Sequence, residues 1–275
     1  MKNLLLTIFG ITVLLWLTGC GGVPPESVTG VPSGIYADPG DQGAGKPGAV
    51  CLIDMTRSED VRAAAAKADG GEPAYLKRMR SRLAEASGIN CEAVHFSMVT
   101  PEMARNPHWR VIVIMGFSWQ IPDNNSQMLQ ELIRRSNVPI IGFCGGHQLI
   151  VKAFGGKVGK MRQLRPGEAD PNPRYHPGWF KEWGFLPVRI LHQDPLFDGL
   201  GPVITVMERH AWQASDVPPE LLLLASSGEC PVEAVKHRDR PIYGVQFHPE
   251  GYDKAHSDGK TILRNFFRPA LRSTL

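Results

Sequence analysis

Several things are scarce in this chain, and each scarcity excludes something. Its 275 residues hold only five cysteines, an odd and low count that supplies no disulfide framework. Charge of neither sign dominates: 30 Lys and Arg face 27 Asp and Glu, for a net +3. That balance gives no basis for a nucleic-acid partner. No phosphate-binding glycine motif is present, so the chain brings no nucleotide-driven synthetase of its own. Cys144 and His147 have zinc-like spacing, but no second Cys/His pair of similar spacing accompanies them, so neither metal nor cofactor is expected. No internal repeat is visible. The longest apolar run, residues 4–17, falls short of the ~20 residues that span a bilayer comfortably.

What is present begins with an export layout. "MKNLLLTIFGITVLLWLTGC" carries one positive charge, then the apolar run, then small residues. Its end, "LTGC", resembles the lipobox of bacterial lipoproteins, in which cleavage before the cysteine lets that thiol carry lipid. The expectation is a signal peptide over 1–19, a lipidated Cys20 and a membrane-anchored protein facing the bacterial periplasm or cell surface. An uncleaved anchor or a plain signal peptide stays open. Residues 20–48 are rich in Gly, Pro and small polar residues without apolar periodicity, which reads as a flexible tether. The folded domain is expected over 49–275.

Within it, "AVCLID", "CEAVHF", "RVIVIM" and "PIIGF" read as strands, while "PAYLKRMRSRLAEAS", "SQMLQELIRRS" and "HQLIVKAF" read as helices. That alternation predicts parallel βαβ units in an α/β domain, with apolar strands covered on both faces. Further on, "FLPVRIL", "VITVME", "LLLLASS", "VEAVKH" and "IYGVQF" are closely spaced strands, which predict an antiparallel extension of the sheet. "GKTILRNFFRPAL" predicts a closing helix. Residues 161–184 form a long loop rich in Pro, Arg and Trp, a length that is usually functional.

The stretch "IIGFCGGHQLI", residues 140–150, carries the chemistry. A cysteine between strand and helix, with glycine two residues to either side, fits a nucleophile at a sharp turn. The helix N-terminus favours its thiolate, and the N–H of Gly145 could face a developing oxyanion. Alone, the pentapeptide is equally a tight turn with a small thiol in it. A nucleophile needs a base and the base an orienter. "IYGVQFHPE" supplies His248 and Glu250, two apart and on one side of an extended chain. Alone, that pair is a common surface neighbour pair. Together, the two features complete one mechanism.

With these motifs the chain resembles the class I glutamine amidotransferase family, most closely its GMP-synthase-like members. "GFCGGHQLI", "IYGVQFHPE" and "VIVIMGFSWQIPD" carry the likeness. The resemblance implies a flavodoxin-like, mixed but mostly parallel sheet with helices on both faces and added antiparallel strands. It implies a triad of nucleophile Cys144, general base and acid His248, and orienter Glu250. It also implies hydrolysis of the glutamine side-chain amide through a thioester. Gly116 and Gly145 would supply the oxyanion N–H groups, and Gln148 and His210 would line the substrate pocket. The chain departs from the family where "MGFSWQ" places Phe117 and Trp119 at expected glycines. The implied partners are glutamine or a γ-glutamyl substrate, and a synthetase accepting ammonia. The alternatives are a stand-alone γ-glutamyl hydrolase and, in another class, an inactive ligand-binding lipoprotein. Cys51 and Cys91 begin strands expected to be neighbours and form a candidate disulfide pair.

Overall fold

The computed structural model of the protein describes residues 31–32, 34–69 and 71–272. The expected signal peptide and Cys20 lie outside the described residues. Among these residues no helix is long and apolar enough to cross a membrane.

The first half of the domain runs β1 (Ala49–Asp54), α1 (Ser58–Ala65), α2 (Ala74–Ser87), β2 (Cys91–His95), β3 (Trp109–Ile114), α3 (Asp123–Arg135), β4 (Ile140–Phe143) and α4 (Gly145–Ala153). The second half runs β5 (Val158–Lys160), β6 (Glu182–Ile190), β7 (Val203–His210), β8 (Trp212–Ala214), β9 (Leu221–Ser226), β10 (Ala234–His237), β11 (Ile242–Val245) and α5 (Asp258–Arg272). Nine strands form one sheet in the order β2-β1-β3-β4-β11-β10-β9-β6-β7. The stretch from β2 to β11 is parallel, and that from β11 to β7 antiparallel. The mixed sheet expected from the strand pattern is therefore present. β5 and β8 pair separately.

Local chemistry accounts for these elements. Every residue of β1 is buried, as a strand covered on both faces requires. α2 packs with α5 and α3 with α4. α2 ends at Gly88, whose φ of 75° and N–H to Ala84 O make a left-handed cap. α3 has Asp123 in its first turn and Arg134 and Arg135 in its last, matching the helix dipole. α5 buries Ile262, Leu263, Phe266, Phe267 and Ala270, a helical stripe against the core.

Two details differ from the sequence reading. The packed unit begins before Ala49: Ile35, Tyr36 and Ala37 lie against the core. Tyr36 and Tyr75 both donate to Asp54 Oδ2, at 2.7 and 2.9 Å, and Asn106 donates to the Pro39 and Asp41 carbonyls. Ile35, Tyr36 and a few hydrogen bonds, including Ala37 N to Ala93 O at 2.8 Å, dock this small-residue stretch. Cys51 and Cys91 are free thiols, so the candidate disulfide is absent. They are not paired in register, since Cys51 faces Glu92 and Cys91 faces Val50.

Candidate active site

The site is built at the carboxyl ends of β4 and β11, which lie side by side in parallel. Cys144 follows β4 directly. Its φ of 48° and ψ of −107° form a conformation that L-residues avoid. Its N–H donates to Val245 O at 2.9 Å, and its carbonyl accepts the first bond of α4 from Gln148 N at 3.0 Å. The flanking glycines are required by close approach. A Cβ on Gly142 would lie 2.5 Å from the Gly146 carbonyl carbon and oxygen, and one on Gly146 would lie 2.5 Å from Ile114 O. Cys144 as a whole is only 5% exposed.

His248 sits where the chain leaves β11. Its Nδ1 is 2.7 Å from Glu250 Oε1, and the ring and the Cys144 side chain both lie against Gly116. The expected same-side pair thus exists, but not on a continuing strand. After Phe247 the chain folds into a short 3₁₀ turn, Pro249–Gly251, and the turn brings Glu250 back to the ring. The His248 backbone N–H is held by Met207 O at 2.8 Å, and Arg82 donates to the Glu250 carbonyl. Burial opposes the imidazolium of His248, but the Glu250 carboxylate and the Cys144 thiolate outweigh it. Its pKa is held well above the ordinary histidine value.

The other expected residues converge here with different roles visible. Gly116 lies against both Cys144 and His248: a Cβ there would meet His248 Cε1 at 2.8 Å and Cys144 Cβ at 3.1 Å. Gly145 is covered by Phe117, whose ring and carbonyl oxygen come within 2.6 Å of where a Cβ would stand. The bulky residues of "MGFSWQ" are therefore packed. Phe117 lies on Gly145, and Trp119 donates to Met55 O at 2.8 Å and stands edge-on to Phe96. Gln148 lines the pocket, and its amide N–H groups go to Trp212 O at 2.8 Å and Gln246 Oε1 at 3.0 Å. His210 also reaches the pocket, but its ring is only 1% exposed and Nε2 points among carboxylates. His147 is fully buried against Gly244, and burial pushes its pKa down to about 4.

Sequence reasoning missed Gln246 and Tyr175. Gln246 is buried and donates to Cys144 Sγ at 3.5 Å. Its signal was present in "VQFHPE", two residues before the histidine. Tyr175 belongs to the long loop and lines the pocket beside Cys144. Burial, then the nearby Cys144, pushes its phenol up to about 12. Tyr175 and His176 join Phe117, Trp119, Trp212 and Lys160 around Cys144 in a cavity of about 480 Å³. The loop is pinned: Arg162 makes paired contacts of 2.7 and 2.8 Å to Glu168, and Lys181 is 2.6 Å from Asp170.

A strained cysteine, a histidine beside it that meets a carboxylate, and a pocket over the cysteine match a known architecture. Residues 74–270 match the family described as glutamine amidotransferase class-I. The chain belongs to the class-I glutamine amidotransferase family. Among its relatives, a glutamine-hydrolyzing GMP synthase subunit of Pyrococcus abyssi is 42% identical over 142 residues, covering 52% of this chain and 65% of that protein. The chain thus spans just under two thirds of that relative's length. The corresponding GMP synthase subunit of Methanococcus vannielii is 30% identical over 199 residues, covering 72% of this chain and 92% of its own length. Among solved structures, a Thermoplasma acidophilum protein aligns with a TM-score of 0.62 and 25% identity over 82% of this chain and 95% of its own. A glutamine amidotransferase from Thermotoga maritima aligns with a TM-score of 0.57 over 82% of this chain and 98% of its own. Its 12% identity extends the likeness in fold alone. The family's mixed sheet and added antiparallel strands are those found here.

Proposed function

We propose that this amidotransferase-family chain hydrolyses the side-chain amide of glutamine, with Cys144 as nucleophile, His248 as base and acid, and Glu250 as orienter. The observation that carries the reading is the strained Cys144 beside an imidazole that is 2.7 Å from a carboxylate. His248 takes the thiol proton, and the sulfur attacks the amide carbon to form a tetrahedral oxyanion. The N–H groups of Gly145 and Gly116 are the proposed donors to that oxyanion. Collapse breaks the C–N bond, and His248 returns its proton to the departing ammonia. Water, deprotonated by His248, then cleaves the thioester to glutamate. Gln148 lines the pocket, and Gln246 donates to the sulfur from behind it.

The relatives named as GMP synthase subunits support a partner synthetase that accepts the ammonia. A second reading, a stand-alone γ-glutamyl hydrolase, is favoured by the cavity of about 480 Å³. That lies in the range of roughly 300–1,000 Å³ that holds drug-sized ligands. Ammonia release from free glutamine and amine release from γ-glutamyl peptides, each without a partner, separate the two. Turnover of peptides alone favours the second; glutamine turnover only when a synthetase is added favours the first. If neither turns over and a glutamine-mimicking alkylator leaves Cys144 unmodified, the chain is instead an inactive binding protein. We also propose export and lipidation at Cys20, read from "LTGC". Mass spectrometry of the mature N-terminus tests this, and a peptide beginning at Met1 refutes it.

A further inference from the structure

Behind the pocket, four segments bring unusual company together. β6 contributes Glu182 and its register partner on β7 is His210. The turn after β9 contributes Cys230, and Glu233 stands just before β10. One ligand-capable atom from each of these four lies within 4.8 Å of all the others. Glu182 is 5% exposed, His210 1%, and Cys230 and Glu233 0%. A fifth residue, Glu208, is equally buried beside them, its Oε2 3.2 Å from His210 Nε2.

The cluster has an unresolved polar problem. Neither oxygen of Glu233 has a hydrogen-bond partner, and the same holds for Glu182 Oε2 and His210 Nε2. His210 Nε2 is 3.1 Å from Glu182 Oε2, close but without hydrogen-bond geometry. Charges left unpaired at such burial are costly, so these groups must share protons or hold a cation. One imidazolium could balance one carboxylate and would leave the others.

The surroundings orient the inward atoms as outer groups orient metal ligands. His210 Nδ1 is 3.1 Å from the Trp212 carbonyl, which can only accept, so Nδ1 carries a proton. In the neutral ring that leaves the Nε2 lone pair facing the cluster. Ser227 Oγ donates to Glu182 Oε1 at 2.6 Å, leaving Oε2 turned inward, and accepts from Cys230 N at 2.8 Å. The serine thereby ties the cysteine turn to the carboxylate. The donor set is one imidazole nitrogen, one sulfur and two carboxylate oxygens, all from the protein, which suits a closed four-coordinate ion.

We propose that Glu182, His210, Cys230 and Glu233 form a structural site for a divalent transition-metal ion, zinc being the best match to the mixed donors. The ion would brace the pocket floor through His210. Short paired spacings, which mark many metal sites in a sequence, are missing here. These donors come from four separate segments. The inference does not depend on the hydrolytic reading.

The test uses the full chain carrying Cys144→Ala, which removes the pocket thiol as a competing ligand. Metal content is measured by plasma mass spectrometry after purification without chelator. Thermal unfolding is followed after stripping and after adding zinc, and the cobalt(II) form is examined by absorption. The expected result is about one ion per chain, a melting rise of roughly 5–10 °C on adding zinc at a hundredfold excess over Kd, and a thiolate-to-cobalt band in the near ultraviolet. That band should vanish in Cys230→Ser. Because a cysteine variant can fail to fold, Glu233→Gln provides a second arm: it should lower occupancy and melting temperature together. A protein that binds neither ion, and a Glu233→Gln variant as stable as its parent, would overturn the proposal and leave the cluster held by shared protons.

Discussion

The backbone at Cys144 stores strain that a pair of substitutions can measure. Its φ of 48° and ψ of −107° are open to glycine and costly for any residue with a Cβ, by about 1–3 kcal/mol. The conformation is held by the 2.9 Å bond from Cys144 N to Val245 O, the 3.0 Å bond from Gln148 N to its carbonyl, and the packed glycines on either side. Cys144→Ala and Cys144→Gly both remove the sulfur and its contact with Gln246. Only the second removes the Cβ. Glycine also gains about 0.4–1 kcal/mol of freedom in the unfolded chain, which counts against it. The difference leaves Cys144→Gly more stable than Cys144→Ala by about 0.5–2 kcal/mol. Urea unfolding followed by tryptophan fluorescence resolves such a gap when both variants share one m-value. A glycine variant equal to or weaker than the alanine variant would refute the claim that a strained elbow presents this thiol.

The remaining expectations are read from the same geometry. Glu250→Gln replaces the carboxylate 2.7 Å from His248 Nδ1 and should lower kcat by roughly 10²–10⁴-fold without unfolding the protein; a loss under threefold would remove Glu250 from the mechanism. Gly116→Ala places a methyl 2.8 Å from His248 Cε1 and should cut turnover more than about tenfold while the circular dichroism spectrum is retained; undiminished turnover would count against the close approach. His147 is buried neutral with a pKa near 4, so the unfolded chain binds a proton that the folded chain refuses between that pH and about 6.5. Stability should therefore fall as pH drops through this window, by about 1.5 kcal/mol from His147 between pH 6.5 and 5, and that share should be missing from His147→Gln; identical pH slopes would contradict it. Burial pushes the thiol pKa values of Cys51 and Cys230 well above the ordinary value and that of Cys91 up to about 12. Of the four described cysteines only Cys144 should react with a thiol reagent before urea is added, and a second fast-reacting one would show that the fold opens.

Much of this was legible in the sequence, because strong periodicity and dense apolar runs mark what packing will keep. The strands from "AVCLID" to "IYGVQF" and the helices α2, α3, α4 and α5 lie where the patterns placed them. What escaped lacked such a signal. α1 buries only Ser58 and Val61, so it has no apolar stripe to read. β5 and β8 are three residues each and exist only because they meet. Ile35 and Tyr36 dock through one hydroxyl and a few apolar contacts, which a composition rich in glycine and proline conceals. At the site, Cys144, His248 and Glu250 were legible because their spacing reflects one local turn each. Tyr175 was not, since only the path of a long loop brings it to Cys144. The buried carboxylates around His210 were equally hidden, because sheet order and not chain order assembles them.

One cause underlies two motifs that the sequence presents separately. β4 and β11 are parallel neighbours with Gly142 opposite Gly244. Both glycines face the first turn of α4. A Cβ on Gly142 would strike His147 N at 2.9 Å, and a Cβ on Gly244 would strike His147 Nδ1 at 2.6 Å. The paired glycines therefore form a gap in the sheet surface into which α4 settles, with the His147 ring filling it. That depth is what forces the chain to turn so sharply at Cys144, and the turn is what raises the thiol beside His248. A slip of one residue between the strands would turn alternate side chains to the opposite face and separate the glycines. The glycine in "IYGVQF" thus belongs to the elbow as much as those in "GFCGG", although about a hundred residues lie between them. Register between two strands, fixed by where no side chain fits, is what joins Cys144 to His248.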